Sequence, residues 1–313
     1  MRLLVYSPEI PADAAGAWPR ALTRAAAERG LGAELRFWPQ AEPCDYALVW
    51  RPPAELFAAQ PGLKAAFALG AGVDALLADP GLPPGLPVYR VEDAGMAAQM
   101  AEYALYACLE KLRGFHEYRA AQAAGSWAPG PYRSRAGFKV AVLGLGALGS
   151  AVARELAEYG FAVSGWSRRP KELPGVRCHD GPDGLTPCLA RAELVIVLLP
   201  LSDETRGLIG ERELGMLPRG AWLVNLARGP IVREEALLKA LDEGGLGRAY
   251  LDVFAEEPPP AASPWWRHPK VAMTPHIAAI TPPDAAAAQI MDKIAALRAG
   301  RPASGLVDRG AGY

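Results

Sequence analysis

Short apolar runs alternate with amphipathic, alanine-rich stretches along almost the whole chain. RLLVY (2–6), YALVW (46–50), AAFAL (65–69) and PVYRV (87–91) have the length and continuity of buried strands. Between the first two, PADAAGAWPRALTRAAAERG (11–30) has the spacing of a helix, with Gly30 placed to stop it. Residues 94–124 form a long, alanine-rich stretch without proline, divisible at Gly114, that runs into the Gly/Pro-rich loop GSWAPGPYRSRAG (125–137). A second series follows: FKVAVLGLG, FAVSGW, AELVIVLLP, AWLVNLA, GRAYLDVF and VAMTPHIA. The final stretch, PPDAAAAQIMDKIAALRAG (282–300), again reads as a helix. Strands separated by helices of this length predict an α/β protein with parallel sheets covered on both faces.

Length adds a division. A chain of 313 residues exceeds what one core usually holds, so two domains are expected. The long helical stretch is the natural connector, and the last helix packs back on the first domain, which makes that domain discontinuous.

Composition mainly excludes. Thirty-three basic residues nearly balance thirty-four acidic ones, with no single-sign run, so nucleic acid is not an expected partner. The N-terminal apolar run is too short for a secretory signal, and LVIVLLPL is far below the roughly 20 residues of a membrane helix. Cys44, Cys108, Cys178 and Cys188 are scattered without metal-ligand spacing. They read as small apolar residues in a reducing compartment; a cytoplasmic protein with no bound metal and no membrane contact is expected.

Candidate chemistry begins with GLGALG. Gly144, Gly146 and Gly149 follow one apolar run and open a helical one. The first permits a tight turn, the second lets backbone approach a pyrophosphate, and the third lets the helix pack close to the strand. The N–H groups of Ala147 and Leu148 would then face the phosphates. Eighteen residues after Gly149, where an acid commonly holds the adenosine ribose, the chain has Ser167, followed by Arg168 and Arg169. A serine does not repel a 2′-phosphate, and a guanidinium grips one. The segment therefore predicts NADPH, with NADH as the weaker cofactor.

Three further residues follow apolar runs: Arg228 after AWLVNLA, Glu257 after LDVF, and His276 in TPHIA. Reduction of a 2-oxo acid needs a hydride, a proton for the nascent alkoxide, and a cation for the carboxylate. Histidine suits the proton near neutral pH, a carboxylate beside it favours and orients the imidazolium, and a guanidinium binds carboxylate and carbonyl together. His276, Glu257 and Arg228 fit those roles in that order.

The motifs GLGALG, LVNLARG, LDVFAEEP and TPHIA, in this order and spacing, resemble those of the D-isomer-specific 2-hydroxyacid dehydrogenases. ALGAGVD (68–74) resembles the family's substrate-carboxylate loop, and MAEYA, from Met100, its hinge helix. The resemblance implies a Rossmann dinucleotide-binding domain, residues 99–274, inserted in a discontinuous flavodoxin-like substrate domain, residues 1–98 plus 275–313. VWRPP, WSRRP, SPWWRHPKVAMTPHIAA and VDRGAGY are closest to the branch that reduces glyoxylate and hydroxypyruvate with NADPH. It implies catalysis by Arg228, Glu257 and His276 and carboxylate binding by the backbone of Ala71 and Gly72. It also implies that Met100, Pro200, Thr205, Ala227 and Asp252 line the nicotinamide and ribose. Trp50, following its strand, is a candidate pocket wall. Asp74 reads equally as a helix cap, and Asp252 as a group that orients the nicotinamide amide. The branch leads one to expect an aliphatic residue before RHP, where this chain has Trp265-Trp266; these either narrow the pocket or serve in packing or dimer contact. The loop with Trp127 resembles the segment that embraces a partner, which implies a homodimer. Reduction of larger 2-oxo acids, and a redox-sensing corepressor-like role, are the competing readings.

Overall fold

The computed structural model describes residues 1–10, 16–39 and 42–313. The chain divides into two compact units, Met1–Met96 with Thr281–Tyr313, and Ala97–Ile280.

The first unit holds strands β1 (Arg2–Tyr6), β2 (Glu34–Phe37), β3 (Tyr46–Val49), β4 (Ala65–Ala68) and β5 (Val88–Tyr89). All pairings are parallel, in the order β2-β1-β3-β4-β5, which is the flavodoxin-like arrangement. YALV and AAFA are buried at every position, as expected of central strands covered on both faces. Between β1 and β2 the chain forms a helix, Ala17–Glu28; the first five residues of the helix expected over 11–30 lie outside the described residues. Helix Pro283–Arg298 packs along it, with Ala286, Ala287, Ile290 and Ile294 among its buried residues. Arg29 holds Asp292 through two bonds of 2.7 and 3.0 Å.

The second unit holds β6 (Lys139–Leu143), β7 (Ala162–Ser167), β8 (Val176–Asp180), β9 (Leu194–Val197), β10 (Ala221–Asn225), β11 (Leu246–Leu251) and β12 (Val271–Met273). The sheet is wholly parallel, in the order β12-β11-β10-β9-β6-β7-β8. This is a Rossmann sheet with one added strand, and its order reverses at the β6/β9 boundary. Alternate residues of each strand feed opposite cores. Val140, Val142, Ile196 and Val224 enter one; Ala141, Leu143, Val195, Val197 and Leu223 enter the other. The stretch over 94–124 becomes two helices, Met96–Arg113 and Phe115–Ala123, parted where Gly114 takes φ +66°.

The crossings between units fall at 96/97 and 280/281, against the expected 98/99 and 274/275. The second difference has a clear cause. The Asp252 carboxylate accepts the N–H groups of Ile277 and Ala278, both at 2.8 Å. Gln99 brackets Ile280, donating to its carbonyl at 2.9 Å and accepting its N–H at 3.1 Å. These bonds keep residues 275–280 with the Rossmann sheet, so His276 belongs to that unit and not to the flavodoxin-like one.

Candidate active site

Six of the singled-out segments lie at one edge of the Rossmann sheet, just beyond the carboxyl ends of its strands. Gly144 follows β6, Ser167 closes β7 and Pro200 follows β9; Arg228, Asp252 and His276 follow β10, β11 and β12. Ligands of open parallel sheets bind at this edge, near the point where strand order reverses.

At β6 the chain turns directly into helix Ala147–Glu158. Gly144 takes φ +105°, and a side chain there would press on the backbone of Leu198 and Leu199. A methyl group on Gly149 would collide with the carbonyl of Gly144. Both glycines are therefore required for helix and strand to close together. Gly146 differs: it is exposed, extended, and has open space where a side chain would point. No side chain caps the helix start. Bare N–H groups at a helix N-terminus, reached over an exposed glycine, fit a dinucleotide pyrophosphate. Gly165 in β7 completes the turn, because any side chain there would strike Leu145.

The Ser167 hydroxyl donates to the carbonyl of Arg169 at 2.7 Å, so it shapes the turn that presents two exposed arginines. Arg168 pairs with Glu204, which lies beyond β9. Thr205 is buried and donates to the carbonyl of Pro200 at 2.6 Å, while its oxygen accepts the N–H of Ser202 at 2.8 Å. It fixes the turn that follows β9.

The other half of the edge carries side-chain chemistry. His276 Nδ1 donates to Glu257 Oε2 at 2.8 Å, and Glu257 Oε1 accepts the N–H of Phe254 at 3.1 Å. Glu257 is thus fixed through one oxygen while orienting the imidazole through the other, which leaves Nε2 as the ring nitrogen for proton transfer. His276 takes φ +56°, a left-handed conformation uncommon outside glycine. Its N–H donates to the carbonyl of Asp252 at 2.9 Å. The Asp252 carboxylate, 1% exposed, holds the next two N–H groups and the Thr274 hydroxyl, the last at 2.6 Å. Tyr103 reaches Thr274 Oγ1 at 2.7 Å from helix Met96–Arg113. Burial pushes the Tyr103 phenol up, against the opposing effect of the Thr274 bond.

Arg228 is positioned by comparable means. Asn225, also 1% exposed, accepts the N–H of Ala227 at 3.1 Å and donates to the carbonyl of Arg228 at 3.0 Å. The guanidinium donates to the carbonyl of Ala227 at 2.7 Å. A side chain on Gly229 would overlap the backbone of Phe254 and Ala255, so glycine is what lets the Arg228 loop lie against the segment leading to Glu257.

Other expected residues fall elsewhere. Ala71, Gly72 and Trp50 lie on the first unit, beyond β4 and β3, where the Trp50 ring sits 3.3 Å from the position of a side chain on Gly70. Asp74 begins the short helix Asp74–Leu77 in its first turn, one residue past the cap position. Met100 and Ala227 are buried in the two cores of the Rossmann unit. Trp265 is 3% exposed and joins one of these cores, so it packs, whereas Trp266 is half-exposed and donates to the carbonyl of Pro260 at 3.0 Å. Sequence reasoning gave no role to Asn225, Thr274, Tyr103, Gln99 or Gly165. Of these only Asn225 carried a signal, as a polar residue ending an apolar strand.

Residues 105–278 match the model of the D-isomer specific 2-hydroxyacid dehydrogenase NAD binding domain. The chain is 45% identical to a protein of Serratia proteamaculans named glyoxylate/hydroxypyruvate reductase A, with full coverage of both. A Salmonella heidelberg protein of the same name is 44% identical, again over the full length of both. Among solved structures, a D-isomer specific 2-hydroxyacid dehydrogenase of Xanthobacter autotrophicus, in complex with NADPH and MES, superposes with a TM-score of 0.93 at 43% identity, over 100% of this chain and 99% of that one. An NADPH-dependent glyoxylate/hydroxypyruvate reductase of Sinorhizobium meliloti, in complex with NADP and sulfate, gives 0.91 at 34% identity with the same coverage.

Proposed function

Since the chain belongs to the D-isomer specific 2-hydroxyacid dehydrogenase family, we propose that it reduces small 2-oxo acids with NADPH, glyoxylate to glycolate and hydroxypyruvate to D-glycerate. The observation that carries this reading is the His276–Glu257 bond, set beside the Arg228–Gly229 loop on the same sheet edge as the glycine turn. Full-length relatives with reductase names and neighbours that hold NADPH or NADP support the substrate and the cofactor.

Gly146 and the helix start at Ala147 would hold the nicotinamide dinucleotide, which would supply the hydride for C2 of the oxo acid. His276 Nε2 gives the proton to the nascent alkoxide, and Glu257 keeps the ring oriented. Arg228 binds the substrate carboxylate and polarises the carbonyl, stabilising negative charge as it builds. Arg168 and Arg169 take the 2′-phosphate, with Ser167 opening space for it. Pro200, Thr205, Ala227, Asp252 and Met100 are assigned to the nicotinamide and ribose side. The N–H groups of Ala71 and Gly72 are assigned to the substrate carboxylate, and Trp50 to the pocket wall.

A homodimer fits the run of exposed aromatic side chains Tyr106, Phe115, Tyr118, Trp127 and Tyr132. A cytoplasmic location fits the thiols of Cys108 and Cys188, both buried and outside any disulfide. Burial pushes the Cys188 thiol up to about 12, so it stays protonated and inert.

Initial rates with NADPH or NADH, each with glyoxylate or hydroxypyruvate, test the proposal. At least about a tenfold preference for NADPH is expected, equivalent to about 1.4 kcal/mol. Equal rates with the two cofactors would remove the role given to Arg168, and no turnover with either acid would remove the substrate.

A further inference from the structure

The arginine assigned to the 2′-phosphate already holds a carboxylate. Arg168 follows β7 and Glu204 follows β9, and these strands flank β6 on either side. An ion pair between them therefore joins the segments on either side of β6, the strand that leads into the turn of Gly144, Gly146 and Gly149. The carboxylate does not come from a wandering loop. The Ser202–Thr205 turn is closed by the Thr205 N–H to the carbonyl of Ser202 at 3.1 Å and by that of Arg206 to the same carbonyl at 2.9 Å. The buried Thr205 hydroxyl pins the turn to Pro200. Glu204 is thus presented from a fixed frame, and its side chain remains mostly exposed.

We propose that Glu204 is a specificity-determining residue that competes with the 2′-phosphate for Arg168, forming a latch across the cofactor cradle that NADPH must exchange and NADH need not. This rests on the assignment of Arg168 to the 2′-phosphate. Glu204 occupies Nη1 of Arg168, a donor that a bidentate grip on the 2′-phosphate would also use, so carboxylate and phosphate compete for it. A carboxylate left beside a bound phosphate would also repel it. The phosphate wins because it carries more charge and more acceptor oxygens. The carboxylate lowers the affinity reached and speeds departure of the oxidised cofactor by reclaiming the arginine. Because the pair is solvent-exposed, the effect is modest: exposed ion pairs correspond to about two- to fivefold in an equilibrium constant.

The test is direct titration of the purified protein with NADPH and with NADH, followed by cofactor fluorescence, for the unaltered chain, Glu204→Gln, Arg168→Gln and the double variant. Stopped-flow displacement gives the NADPH dissociation rate. Glu204→Gln is expected to tighten NADPH about two- to fivefold, mainly through slower dissociation, with NADH unchanged. Arg168→Gln is expected to weaken NADPH at least about tenfold, and Glu204→Gln should then add nothing. If Arg168→Gln weakens NADPH while Glu204→Gln leaves it unchanged or weakens it, the latch is wrong and the arginine assignment stands. If Arg168→Gln leaves the NADPH-to-NADH affinity ratio unchanged, the assignment itself is wrong and the latch falls with it.

Discussion

The two halves of the Rossmann sheet's ligand edge are built by opposite means. Around β6 and β7 the construction is subtractive: Gly144, Gly149 and Gly165 are places where a side chain would collide with neighbouring atoms. What remains is bare backbone at a helix start. Around β10, β11 and β12 the construction is additive. Asn225 and Asp252, both almost fully buried, spend their polar atoms on the loops that carry Arg228 and His276. The contrast follows from the tasks proposed for the two halves. A pyrophosphate is recognised by N–H groups that must be reached closely. A proton donor and a substrate cation are side chains whose torsions must be held, and buried hydrogen bonds hold them.

The comparison can be broken most severely at His276. His276→Ala should lower kcat by about 10²- to 10⁴-fold with the NADPH dissociation constant unchanged, read by steady-state rates and cofactor titration. Parallel loss of binding would mean that the halves are not separable. Asp252→Asn replaces one acceptor oxygen by a donor facing N–H groups. It should destabilise the protein by roughly 1–3 kcal/mol in urea unfolding and lower kcat more than it raises KM for the oxo acid. Gly149→Ala tests the other half. The forced separation of helix and turn should cost about 1–3 kcal/mol, expressed as weaker NADPH binding with kcat at saturation largely kept. The smallest effect is expected for Tyr103→Phe, which removes one hydrogen bond at the far end of the Thr274–Asp252 relay. About 0.5–1.5 kcal/mol of stability is at stake, read by urea unfolding.

The same contrast explains what could be read from the sequence. Central strands announce themselves because both faces are buried, so RLLVY, YALVW, AELVIVLLP and AWLVN appear as apolar runs. β2 (ELRF) and β8 (VRCHD) escape such reading, since each lies at a sheet edge and is largely half-exposed or exposed. The glycine turn was legible because subtraction leaves a pattern of fixed spacing. The catalytic candidates were legible as polar residues following apolar strands. The holding network was not, because Tyr103 and Thr274 lie 171 positions apart and only the fold brings them together. The same long-range bonding moved the unit boundary to 280/281 and placed His276 with the Rossmann sheet.

The closing helix of the first unit has a consequence for biosynthesis. Residues 97–280 are complete before Pro283–Arg298 leaves the ribosome, and that helix packs against Ala17–Glu28, made near the start. The Rossmann unit can therefore finish folding while the earlier unit still awaits its last helix. The nascent first unit is the one that needs shielding, and a chain stopped near residue 280 would carry a finished cofactor fold beside an unfinished partner.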